Sequence, residues 1–124
     1  MKNAKRILIV DDEKMLHTML KTVLEVHGFE VIDAMSGEEG LLKAFSEKPD
    51  LIILDELMPG IKGRDVCKKL KTINETKNIP VIFLTSKDSS DDLEAEISAG
   101  AVAHIGKPVY AATLIRHVRK VLGQ

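Results

Sequence analysis

A chain of 124 residues with 44% apolar and 30% charged side chains amounts to one domain and is too hydrophobic to be disordered. Eighteen Lys and Arg against nineteen Asp and Glu leave a net charge of −1, so composition carries neither a basic nucleic-acid footprint nor an acidic tail. The single cysteine, Cys67, excludes an internal disulfide, and apolar runs of at most four residues are too short to span a membrane; a reducing cytoplasm is the expected compartment.

Ile7-Leu8-Ile9-Val10 is an apolar run without polar alternation, which predicts a strand buried on both faces. Leu16, Met19, Leu20, Val23 and Leu24 then recur at helical spacing, and Gly28 stands where a residue closing that helix would. Val31-Ile32-Asp33-Ala34 carries a polar residue, as suits a strand nearer a sheet edge. Ser36 followed three residues later by Glu39 reads as a capping box, and the helix it opens is expected to bury Leu41, Leu42 and Phe45. Pro49 precedes a third apolar run, Leu51-Ile52-Ile53-Leu54, and Val66, Cys67, Leu70 and Ile73 form the next helical stripe. Pro80 precedes Val81-Ile82-Phe83-Leu84, and Leu93 with Ile97 predict a short helix ended by Gly100. Val102-Ala103-His104-Ile105 is a weaker fifth strand, and Leu114, Ile115, Val118, Val121 and Leu122 form the last helical stripe.

Five strand–helix pairs predict an α/β domain over residues 1–124, with a doubly wound parallel sheet in the order 2-1-3-4-5. Ligands of such sheets bind outside the carboxyl ends of the strands. Those ends carry Asp11-Asp12, Asp55, Thr85-Ser86 and Gly106-Lys107-Pro108. The predicted order brings Asp11, Asp12, Asp55, Thr85 and Lys107 to one rim. Three carboxylates that close cannot all stay ionised without cations. Lys107 supplies one charge, and a hard divalent cation such as Mg²⁺ supplies the rest. A carboxylate beside Mg²⁺, a lysine and a hydroxyl can attack a phosphoryl group and form an aspartyl phosphate.

Taken in order, Ile7-Leu8-Ile9-Val10-Asp11-Asp12-Glu13, Asp55-Glu56-Leu57-Met58-Pro59-Gly60 with Gly63, Leu84-Thr85-Ser86, and Gly100-Ala101 through Gly106-Lys107-Pro108 resemble the receiver domain of bacterial two-component response regulators over essentially the whole chain. The resemblance implies a flavodoxin-like (βα)5 fold and a Mg²⁺-dependent switch that takes a phosphoryl group from a sensor histidine kinase or histidine phosphotransfer protein. It implies Asp55 as phosphoacceptor, Asp12 as a direct metal ligand, Asp11 acting on the metal or its waters, and the backbone carbonyl of Leu57 as a third protein ligand. Lys107 would pair with Asp55 and then with the phosphoryl group, and Thr85 would turn its hydroxyl toward that group. The Lys107-Pro108 peptide is expected to be cis. The switch position near the end of the fifth strand falls on His104, where the family carries an aromatic residue. Leu57 and Lys87 would border the path of the water that hydrolyses the acyl phosphate.

The implied output is a change in binding of a downstream protein or effector domain through the fourth helix, fifth strand and fifth helix. No nucleic acid or membrane is expected to bind this chain directly. It would be a monomer or a phosphorylation-dependent dimer, either alone or within a longer protein, with slow self-dephosphorylation as its nearest approach to enzymatic turnover. A receiver fold that is never phosphorylated and serves only as a protein-binding module is the alternative. Glu56 follows the phosphoacceptor where the family commonly has an apolar residue, and strand alternation can turn it away from the rim. His17, His27 and His117 read as helix histidines on polar faces or at helix ends, Cys67 as a small core residue, and Lys68-Lys69 with Lys71 as a solvated face.

Overall fold

The computed structural model describes residues 4–86 and the backbone of residues 90–124, with side chains from 94 onward. Strands and helices alternate: β1 (Arg6–Val10), α1 (Lys14–Val26), β2 (Glu30–Ala34), α2 (Gly37–Glu47), β3 (Leu51–Asp55), α3 (Gly63–Thr72), β4 (Val81–Thr85), α4 (Ser90–Ser98), β5 (Ala103–Gly106) and α5 (Ala111–Val121). All strand pairs are parallel, and the sheet order is β2-β1-β3-β4-β5, as the sequence predicts.

Strand alternation divides the core in two. Ile7, Ile9, Leu51, Ile53, Ile82 and Leu84 pack against Leu20 and Leu24 of α1 and Leu114 and Val118 of α5. Leu8, Val10, Ile52, Leu54, Val81 and Phe83 pack on the opposite face against Ala44 of α2 and Val66, Cys67 and Leu70 of α3. All five residues of β3 and of β4 are buried, which is why these strands read as unbroken apolar runs. Burying each such Leu, Ile or Phe side chain contributes about 1.5–3 kcal/mol and makes the central strands a stiff platform for whatever stands at their ends.

Ser36 caps α2 by accepting from the Glu39 N–H at 3.1 Å, while the Glu39 carboxylate reaches back to the Met35 N–H at 2.7 Å. The α2 stripe expected from the sequence is corrected. Leu42 and Phe45 are exposed, and the face against the sheet is Gly37, Gly40 and Ala44, with Leu41 half-buried beside it. A Cβ at Gly40 would lie 2.9 Å from both methyls of Val10, and one at Gly37 would lie 2.3 Å from Ile61 Cγ2. The helix therefore comes in on its smallest residues, and its large apolar ones are turned outward. The fourth helix differs similarly: Ile97 is exposed, and Glu96 and Ala99 are buried. Leu93 lies outside the described side chains.

Gly63 sets the approach of α3 to the end of β3. A Cβ there would lie 2.5 Å from the Asp55 carbonyl oxygen and 2.9 Å from Glu56 Cα, both backbone atoms that cannot rotate aside. Gly63→Ala is expected to lower stability by about 1–3 kcal/mol, the cost of overpacking a fitted site, despite alanine's better helix propensity. Urea unfolding checks this, and amide shifts at 55 and 56 should move in the folded variant.

Candidate functional site

In a parallel sheet every carboxyl end emerges on the same edge. β1 and β3 are neighbours whose crossovers leave in opposite directions, so a cleft opens between their ends. Asp11 follows β1, Asp55 ends β3, Thr85 ends β4 paired with Gly106, and Lys107 follows β5. Asp11, Asp55 and Thr85 are almost completely buried, whereas Asp12 is exposed.

The carboxylates of Asp11, Asp12 and Asp55 converge, with one oxygen from each within 4.8 Å of the others. Asp55 Oδ1 accepts from Lys107 Nζ at 3.1 Å and from the Leu57 N–H at 3.2 Å. Lys107 is positioned through its own N–H, which donates to the Thr85 carbonyl at 2.7 Å, and its peptide bond to Pro108 is cis. Asp11 Oδ1 accepts from the Glu13 N–H at 3.0 Å; its Oδ2 is buried with no hydrogen-bond partner among the described residues. Burial pushes the Asp11 carboxyl up to about 6. The neighbouring Asp55 charge adds to that rise, while the Glu13 N–H and Lys107 oppose it. A buried carboxylate oxygen without a donor, in a set of three oxygen ligands, fits a hard divalent cation.

Glu56 does not join this cluster. It turns to the other side of the sheet, is 2% exposed, and its Oε2 lies 3.2 Å from Arg64 Nε of α3. The side chain of Leu57 is half exposed at the rim, and Lys87 lies outside the described residues. His104 stands on β5 opposite Phe83, half-buried, and lines a groove of about 580 Å³ between β5 and α5.

His17 was expected on a polar face or at a helix end. It is 7% exposed, with Nδ1 3.3 Å from the Asp11 carbonyl and Nε2 2.6 Å from Asp33 Oδ1. The available signal was its spacing, since His17, Leu20 and Leu24 share the buried stripe of α1 at i, i+3 and i+7.

The raised Asp11 value has a consequence for stability without metal. The unfolded carboxyl titrates near 3.8 and the folded one near 6, so the folded state holds the proton more tightly. The stability this gives is fully present below about pH 4 and is lost as pH rises through 6. Urea unfolding in EDTA between pH 4 and 7.5 should show this decline, and Asp11→Asn should flatten it.

Residues 7–119 match the family model described as the response regulator receiver domain. The chain is 40% identical over 118 residues to the alkaline phosphatase synthesis transcriptional regulatory protein PhoP of Bacillus subtilis, covering 95% of this chain and 48% of that protein. It is 39% identical over 117 residues to protein PilH of Pseudomonas aeruginosa, covering 94% and 97%. The structure of the Vibrio cholerae chemotaxis protein CheY4 superposes with a TM-score of 0.91 at 30% identity, covering 95% of this chain and 98% of that one. The chain thus spans about half the length of PhoP and nearly all of PilH. No helix among the described residues is long and apolar enough to cross a membrane. The parallel 2-1-3-4-5 sheet, the carboxylate trio at its rim and these matches together make the chain a member of the response regulator receiver domain family.

Proposed function

We propose that the chain is a phosphorylation-dependent switch that accepts a phosphoryl group on Asp55. The observation that carries this reading is the convergence of the Asp11, Asp12 and Asp55 carboxylates, with Asp11 Oδ2 buried without a hydrogen-bond partner among the described residues and Lys107 in contact with Asp55. Asp55 is the nucleophile. Its carboxylate oxygen attacks phosphorus, and the bond from phosphorus to the donor's leaving group breaks. Lys107 faces the charge of Asp55 before transfer and that of the phosphoryl oxygens afterwards. Thr85 offers a hydroxyl to the same oxygens from the end of β4. Asp11, Asp12, Asp55 and the carbonyl of Leu57 would hold Mg²⁺, which would neutralise charge on the phosphoryl oxygens.

The phosphodonor in this reading is a phosphohistidine on a sensor histidine kinase or phosphotransfer protein in the cytoplasm. The output lies on α4, β5 and α5. His104 stands two residues before Gly106, the partner of Thr85 in the sheet, and serves as the switch residue relaying the state of Thr85 to this face.

Incubation with acetyl phosphate and Mg²⁺ should add one phosphoryl group by intact mass. Hydroxylamine should remove it, and EDTA or Asp55→Asn should prevent its addition. A wild-type chain that gains no mass would make the protein a binding module of receiver fold instead. Undiminished uptake by Asp55→Asn would overturn the assignment of the nucleophile.

A further inference from the structure

Asp11 is fully buried, so each of its backbone polar groups needs a partner. Its N–H donates to the Ala34 carbonyl at 3.1 Å. Its carbonyl lies outside α1, whose first turn is closed by the His17 N–H donating to the Glu13 carbonyl at 2.9 Å. The carbonyl of Asp11 instead meets the His17 ring at 3.3 Å from Nδ1. The opposite ring nitrogen, Nε2, is 2.6 Å from Asp33 Oδ1 on β2. Partial burial pushes the Asp33 carboxyl up, but its hydrogen bonds with His17 and Lys21 outweigh this and hold it below its ordinary value. An ionised carboxylate and a carbonyl both only accept, so the two contacts are hydrogen bonds when both ring nitrogens carry a proton and donate. Asp33 is itself fastened: Lys21 Nζ lies 3.3 Å from Oδ2, and Lys43 of α2 donates to its carbonyl.

We propose that His17 is a positioning residue of the metal-binding turn, holding the Asp11–Asp12 peptide through the Asp11 carbonyl and braced in turn by Asp33 on β2. The carbonyl of Asp11 belongs to the peptide plane that carries Asp12. Releasing it frees that plane to rotate, and rotation moves the exposed Asp12 carboxylate relative to those of Asp11 and Asp55. Groups that orient ligands from behind govern metal affinity without touching the metal. The inference rests on the reading of Asp11 and Asp12 as Mg²⁺ ligands, and it makes a residue of the α1 core stripe, together with an edge-strand aspartate, part of the site's machinery.

The test compares wild type, His17→Phe, Asp33→Ala and the double variant. Phenylalanine retains an aromatic ring and loses both hydrogen bonds; Asp33 is only partly buried, so its loss leaves the core intact. Mg²⁺ titrations followed by amide shifts on the folded protein should show affinity about tenfold weaker in His17→Phe. Asp33→Ala should weaken it less, and the double variant no further than His17→Phe alone. In the metal-free protein, amide hydrogen exchange at Asp12 and Glu13 should rise in each variant while β3 amides keep their protection. A role confined to packing would lower urea stability and leave Mg²⁺ affinity and local exchange unchanged, and that result overturns the proposal. If His17→Phe fails to fold, unchanged affinity and exchange in Asp33→Ala overturn it equally. A wild-type chain that binds no Mg²⁺ defeats the metal reading, and the exchange measurement then decides whether His17 holds the turn.

Discussion

Three carboxylates held within 4.8 Å of one another, with a lysine in contact with Asp55, are the constraint on which the rest of this structure depends. Asp11 and Asp55 are buried, so water screens their mutual repulsion poorly, and Lys107 offsets only part of it. Such a cluster persists only on a scaffold that cannot relax. The fully buried strands β3 and β4 provide that stiffness. Gly63 lets α3 close against the end of β3, and the Lys107 N–H ties the lysine's backbone to the last carbonyl of β4. The stability of the core is thus what holds an electrostatically unfavourable rim in place, and the excess negative charge of that rim is what fits it to a divalent cation.

Much of this is legible in the sequence because a parallel sheet delivers all its carboxyl ends to one edge. Once Ile7–Val10, Leu51–Leu54 and Val81–Leu84 read as buried strands, the residue after each is at the rim, and Asp11, Asp55 and Thr85 follow by counting. What escapes is whatever depends on how closely elements approach. Leu42 and Phe45 have helical spacing but are exposed, because α2 packs through Gly37, Gly40 and Ala44, and small residues carry no hydrophobic signal. Strand alternation allows Glu56 to turn away from the rim, but its pairing with Arg64 of α3 depends on a tertiary contact that the sequence does not show. His17 is the most instructive case. Its spacing with Leu20 and Leu24 places it inward, but its partners, a carbonyl six residues back and an aspartate on the neighbouring edge strand, exist only after the sheet has formed.

The groove between β5 and α5 has a different chemistry from the rim. It is lined by His104, Arg116, His117 and Lys120 with Val102 and Val121, so the proposed output side combines basic and apolar character. Basic residues in the last turn of α5 also complement that helix's dipole. The separation of a carboxylate rim from this basic surface suits a device in which charge is added at one place and read at another. Relatives as different in length as PhoP and PilH both match the chain over nearly its whole length.

Among the described residues the rim is short of positive charge, a deficit that a divalent cation would make up. The most direct measurement is the unfolding free energy at pH 7.5 as Mg²⁺ is raised at constant ionic strength, for wild type and Asp55→Asn. Binding to the folded state alone must stabilise wild type logarithmically with free Mg²⁺. That gain is expected in wild type, together with an Asp55→Asn variant that is more stable than wild type without metal and gains less from it. Wild-type stability that does not change with Mg²⁺, or that rises no more than in Asp55→Asn, would contradict it.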